Sequence, residues 1–224
     1  MAKQSRGKCA FCDKEMTNVG LTKHLKVCPQ RKKVIEKTKK GKNQSLYHLK
    51  IQNSYAKDFW LHMEINGSAT LEDLDHYLRD IWLECCGHMS AFMISGSWDE
   101  EDEFPMNLKI DRLDPSVKLT HVYDFGTETE TLITIADVRK GIPLTKHPIY
   151  LIARNNMPEA FCAECGKPSN WYCQECLIEE EKWNTFCDKH AKTHPHDDYG
   201  EPIQLVNSPR LGVCGYTGPA EPPY

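Results

Sequence analysis

Three stretches decide the fold: Tyr47-His48-Leu49-Lys50-Ile51, then Phe59-Trp60-Leu61-His62-Met63-Glu64-Ile65, then Leu71-Glu72-Asp73-Leu74-Asp75-His76-Tyr77-Leu78-Arg79-Asp80-Ile81-Trp82-Leu83. The first two alternate apolar and polar residues, the period of a strand with one face buried. Asn66-Gly67-Ser68 between them and the third stretch reads as a turn. In the third, Leu71, Leu74, Leu78, Ile81 and Trp82 recur at helical spacing. Thr70 stands at the N-cap, and Asp73 three residues later completes a capping box.

Working outward, further strands are expected near His88–Ser95, on both sides of Gly126, and at Ile149-Tyr150-Leu151-Ile152. The order strand, strand, helix, strand, strand predicts an α+β protein. Its centre is a β-grasp-like sheet with one main helix, flanked by two small zinc-binding modules. The spans are a finger over 1–30, a basic linker over 31–45, the α+β domain over 46–157, a second metal module over 158–200, and a tail over 201–224 that packs on the body.

The flanking modules are read from cysteine and histidine spacing. The chain has eleven cysteines and ten histidines. Cys9-x-x-Cys12, eleven residues, and His24-x-x-x-Cys28 supply four ligands. A short helix over 20–26 sets His24 and Cys28 one turn apart on one face. Cys162-x-x-Cys165, Cys173-x-x-Cys176, Cys187-x-x-His190, His194 and His196 supply eight more. Zinc takes four thiolate or imidazole ligands tetrahedrally, and a site closed by four protein ligands is structural. Three zinc ions are therefore expected. Asp188, Asp197 or Asp198 is the alternative ligand in place of a histidine.

Charge divides the chain. Residues 1–43 hold thirteen Lys and Arg against Asp13, Glu15 and Glu36, a net +10; the rest carries fifteen basic and twenty-nine acidic residues, a net −14. A basic arm on an acidic body points to a polyanion, DNA or RNA, with Lys14, Lys23, Lys26, Arg31, Lys32, Lys33, Lys37, Lys39 and Lys40 as contacts to phosphate. The alternative is a solvated tail on an adaptor that binds proteins. The acidic run Trp98–Phe104 reads as a solvated loop or as an intramolecular partner for the arm. No run of eighteen apolar residues exists and the first residues lack a secretory pattern, so a cytoplasmic protein without a membrane partner is expected. The sequence says nothing of its oligomeric state.

The central region resembles a bacterial and archaeal family borne on plasmids and transposons and labelled TnpR-like, or pRi-plasmid open-reading-frame-like. The residues that carry this are Tyr47–Ile51, Trp60, Thr70–Asp75 running on to Ile81-Trp82-Leu83-Glu84-Cys85-Cys86-Gly87-His88, Tyr123-Asp124-Phe125-Gly126, Leu151–Asn155 and Val206–Arg210. They look like a zinc-bearing branch of that family. The family follows Asp-Phe-Gly with an acidic-aromatic-His run; here Thr127-Glu128-Thr129-Glu130 departs from it. The resemblance implies a shared fold and a mobile-element setting, not an activity. A serine resolvase needs a nucleophilic serine among arginines, and no such cluster is present. The second metal module resembles a B-box-like or RING-like cross-brace, a kind of module that mostly binds proteins. In that arrangement Cys162, Cys165, Cys187 and His190 share one ion, and Cys173, Cys176, His194 and His196 the other. The first finger also resembles ubiquitin-binding fingers, but Lys26 stands where those carry Asp.

No P-loop, nucleophile elbow or His-Glu-x-x-His is present, so no enzyme is expected. The alternative is a metal-dependent hydrolase or nuclease using His62, His76, His88 or His121 with Asp124, against structural roles for those histidines. Cys85-Cys86 and Cys214 are expected in the core, as are Trp60, Trp82 and Phe92.

Overall fold

A computed structural model describes residues 4–97, 99–196 and 198–218. In chain order the elements are β1 (Arg6–Cys9), β2 (Glu15–Thr17), α1 (Asn18–Val27), α2 (Pro29–Lys37), β3 (Gln44–Asn53), β4 (Trp60–Asn66), α3 (Leu71–Leu78), β5 (Ser90–Ile94), β6 (Glu103–Phe104), β7 (Lys118–Tyr123), β8 (Thr129–Gly141), β9 (Ile149–Asn155), β10 (Trp171–Tyr172), α4 (Gln174–Glu180), β11 (Thr185–Phe186), α5 (Asp188–Ala191) and β12 (Ile203–Gln204). The α+β class holds. Nine strands form one antiparallel sheet in the order β2-β1-β9-β4-β3-β8-β7-β5-β6, and β11-β10-β12 form a second, small sheet.

One face of the large sheet meets α3. Its capping box is present: Asp73 N–H donates to Thr70 Oγ1 at 3.2 Å, and Thr70 N–H donates to Asp73 Oδ2 at 2.8 Å. The expected helix continues past Leu78 as a π-helical turn over Arg79–Leu83. Leu71, Leu74, Leu78, Ile81 and Trp82 are all fully buried against Leu49, Ile51, Leu61, Met63 and Ile133. Each such side chain contributes roughly 1.5–3 kcal/mol of hydrophobic stabilisation.

The other face differs from the expectation. Alternation in β3 and β4 predicts His48, His62 and Glu64 at the solvent, yet each is at most 4% exposed. The N-terminal finger covers them. Its strand β1 pairs with β9, Gly7 opposite Asn155 and Lys8 opposite Arg154, so the finger extends the main sheet. A Cβ on Gly7 would lie 2.0 Å from the Arg154 carbonyl oxygen and 2.5 Å from the Trp60 ring, which is why no side chain fits there. Cys9, Leu21, Leu25 and Cys28 pack with Trp60, Ile152 and Ala153 as a second core.

Two histidines lie under the finger. His62 Nε2 bonds to Asn18 Oδ1 at 3.0 Å, and His62 Nδ1 lies 2.9 Å from His48 Nε2. One neutral tautomer satisfies both contacts and leaves His48 Nδ1 bare, as its lack of a partner requires. Burial, with the neighbouring His62, Arg31 and Lys26, pushes His48 down to about 2. Burial, with Lys50, pushes His62 down to about 4. Unfolded histidines bind protons below their ordinary value of 6.5, and these do not. Their stabilising effect is thus complete above pH 6.5 and declines as pH falls toward the folded values, by about 1 kcal/mol per histidine at pH 5.5. Stability compared at pH 7 and 5.5 in the wild type and in His48→Gln should expose this slope. Parallel curves for the two proteins would refute it.

The tail packs on the body. Ser208 Oγ donates to the Trp82 carbonyl at 2.7 Å, and the Arg210 side chain is fully buried. No helix among the described residues is long and apolar enough to cross a membrane.

Candidate metal centres

The finger places its ligands by a tight turn and a helix. After Cys9 the chain turns through Asp13, which takes the left-handed conformation with φ 56°. Asp13 N–H returns to the Cys9 carbonyl at 2.9 Å, and Cys9 N–H donates to the Lys14 carbonyl at 3.1 Å. Helix α1 then carries His24, and Cys28 ends it. Cys12 Sγ lies 3.2 Å from His24 Nε2, and Cys9 Sγ lies 4.0 Å from Cys28 Sγ.

The second module repeats that turn. Gly166, with φ 69°, stands in for Asp13. Its N–H returns to the Cys162 carbonyl at 2.8 Å, and Cys162 N–H donates to the Lys167 carbonyl at 2.8 Å. The other two pairs use helix starts: Cys173 caps α4, its sulfur accepting from Cys176 N–H at 3.4 Å, and Cys187 precedes α5. The three-stranded sheet β11-β10-β12 holds these pieces together.

The interleaved pairing emerges from this geometry. Cys162, Cys165, Cys187 and His190 converge, with all four ligand atoms within 4.8 Å of one another, and Cys173, Cys176, His194 and His196 do the same. Within the first set Cys162 Sγ is 3.2 Å from His190 Nδ1, and Cys165 Sγ is 3.9 Å from Cys187 Sγ. Within the second, Cys176 Sγ lies 3.3 Å from both His194 Nε2 and His196 Nδ1.

These distances suit a shared ion. Zinc bonds of about 2.3 Å to sulfur and about 2.0–2.1 Å to nitrogen give tetrahedral edges of roughly 3.8 Å for S···S and 3.6 Å for S···N. A disulfide would need about 2.05 Å, and all eleven cysteines are free. Burial pushes the Cys9 thiol up to about 12, so Cys9 needs a cation beside it to become a thiolate at neutral pH. Cys162 moves the other way: burial opposes ionisation, but bonds from backbone amides and His190 outweigh it and bring the thiol to about 6. Asp188 is engaged with Trp171 Nε1 at 2.8 Å, and Asp197 lies outside the described residues.

No family model matches this chain. No curated protein matches it either. Among solved structures, a protein of unknown function from Methanosarcina mazei Go1 is similar at 15% identity, with a TM-score of 0.40, over 49% of this chain and 67% of that one.

The basic residues assigned to phosphate contact separate into two groups. Lys14, Lys23, Lys26, Lys32, Lys33, Lys37, Lys39 and Lys40 are exposed. Arg31 corrects the expectation: it is buried, donating to Glu64 Oε2 and to the Leu25 carbonyl, both at 2.8 Å. It holds α2 to the sheet and faces no solvent. Two histidines of the enzyme alternative also have structural partners: His62 as above, and His121, whose Nε2 is 2.8 Å from Asp75 Oδ1.

The cysteines expected in the core depart from that expectation too. Cys86 and Cys214 are exposed, and Cys85 is half-buried. With His88 they form a fourth cluster in which every ligand atom lies within 4.8 Å of the others. Sequence spacing hides it, because Cys86 and Cys214 come from distant segments. The one local signal is the run Cys85-Cys86-Gly87-His88.

Proposed function

We propose that this is a non-enzymatic protein in which three zinc ions staple the finger and the cross-brace, and which binds nucleic acid through α1, α2 and the lysines that follow. The observation that carries this is the exposed lysine ridge over Lys23–Lys40, set against a body of opposite net charge. Among the described residues Lys26 alone of these comes within 4 Å of a carboxylate, Asp137 at 3.9 Å, so the ridge is open to phosphate. The finger gives it a rigid base. The TnpR-like resemblance adds mobile elements as the setting.

Deleting residues 1–43 is a poor test, because β1 belongs to the main sheet. The better variant changes Lys23, Lys26, Lys32, Lys33 and Lys37 to Gln, all at exposed positions. Titrated against duplex DNA and single-stranded RNA across salt, the wild type should bind with a steep negative slope. In the variant the slope on duplex DNA should be shallower by about 0.9 for each phosphate that no longer meets a lysine. Equal slopes for both proteins, or no binding by either, would sink this reading. Such a result would favour an adaptor, for which exposed Phe161, Leu177, Ile178 and Trp183 on the second module offer a protein-binding surface.

A further inference from the structure

We propose that Cys85, Cys86, His88 and Cys214 form a fourth metal site, for a divalent ion of the zinc class, which fastens the tail to the end of the α3 turn. The proposal is independent of nucleic-acid binding.

The geometry is that of the other clusters. Cys85 Sγ and Cys86 Sγ lie 3.7 Å apart, and Cys86 Sγ lies 3.0 Å from His88 Nε2. Sulfurs joined as a vicinal disulfide would sit at about 2.05 Å; these stand close to a tetrahedral edge. Three thiolates and an imidazole are a complete zinc donor set, and soft sulfur ligands disfavour magnesium or calcium.

The backbone on both sides is arranged for it. The π-helical turn Arg79–Leu83 delivers Glu84 and the two cysteines at its end. Cys214 has φ 49° and ψ 36°, a left-handed conformation that is strained for a non-glycine residue. That conformation brings its sulfur to the cluster from the tail, and no apolar packing explains it, because the residue is exposed.

Around the ligands stands a polar shell. Arg210 Nη2 donates to Cys85 Sγ at 3.5 Å, and the Tyr123 hydroxyl lies 3.6 Å from the same sulfur. Asp124 Oδ2 is 3.4 Å from His88 Nε2 and 3.7 Å from Cys214 Sγ, and Arg210 holds that carboxylate. Of these groups Arg210 is the cationic donor, which orients Cys85 and offsets thiolate charge. Arg79 and Arg210 each stand 4.7 Å from the centroid of the Tyr123 ring; Arg79 is paired with Asp75 and Glu84, and Arg210 is the cation that reaches Cys85. The site differs from the other three in its exposure, so its ion should exchange first.

The test uses the full chain, purified under reducing conditions and loaded with Zn2+ or Co2+. Metal content and cobalt–thiolate absorption are compared between the wild type and Cys86→Ser/Cys214→Ser, which alters only exposed positions. The wild type should hold one more ion per chain than the variant, and the cobalt difference spectrum should be that of a tetrahedral thiolate site. A weak chelator should remove that one ion first. His88→Asn should lose the same single ion, and it decides the matter should the double variant fold poorly. Equal metal content in the wild type and His88→Asn overturns the site, as does a Cys85–Cys86 disulfide in the reduced, zinc-loaded protein. Because the measurement is a difference, it stands whatever the other clusters bind.

Discussion

Cys9→Ser is expected to lower the stability of the entire chain by about 4 kcal/mol or more, on the order of 10 °C in Tm for a protein of this size. In an isolated finger the loss would stay local. Here Cys9 ends β1, which pairs with the edge of β9, and its side chain packs with Leu21, Leu25 and Cys28 over Trp60. Structural zinc supplies about 10–16 kcal/mol to small fingers, and removing one ligand forfeits much of that. Without a shared ion, Cys28, which links α1 to α2, keeps only its apolar packing. Losing the finger exposes Trp60, Ile152 and the histidine pair to water. Thermal melts, zinc content and Trp60 solvent exposure should change together in Cys9→Ser and in chelator-treated wild type. A variant that melts within about a degree or two of the wild type would show that the finger is stable without its metal.

What was legible in the sequence was local. Alternation in β3 and β4, the capping box at Thr70 and Asp73, and the Cys-x-x-Cys spacings each depend on residues a few positions apart. Their physics is therefore written within one segment. The outer face of the sheet was not legible, because alternation reports only which residues share a face. It does not say whether another element covers that face. His48, His62 and Glu64 read as solvated until the finger is placed over them. Arg31 sits in a basic run and looks like its neighbours, yet the carboxylate that claims it lies thirty-three residues away. The fourth cluster was hidden for the same reason: Cys214 reaches Cys86 only once the tail has folded back. In each case the missing information was a long-range contact, and in each case a polar side chain was the one misread.

Glu64→Gln should cost about 3–5 kcal/mol, a large loss for a single isosteric change. Glu64 is nearly buried and holds two guanidinium groups at once. Arg31 Nη2 donates to Oε2 at 2.8 Å, while Arg139 Nε and Nη2 donate to Oε2 and Oε1 at 2.8 and 2.6 Å. Arg31 belongs to α2, Glu64 to β4 and Arg139 to β8, so the carboxylate joins the finger's exit to two central strands. An amide keeps the shape but removes the charge, leaving two cations beneath α2 with no counter-ion. The penalty arises from that uncompensated charge more than from missing hydrogen bonds. Hence replacing all three residues by Met should recover much of the loss, while Arg31→Met alone should cost less than Glu64→Gln, since Glu64 would still be paired with Arg139. Urea unfolding of the three variants measures both differences. A Glu64→Gln loss under about 1 kcal/mol would mean that water reaches the triad, and that the finger is held to the sheet by its strand pairing and its apolar face.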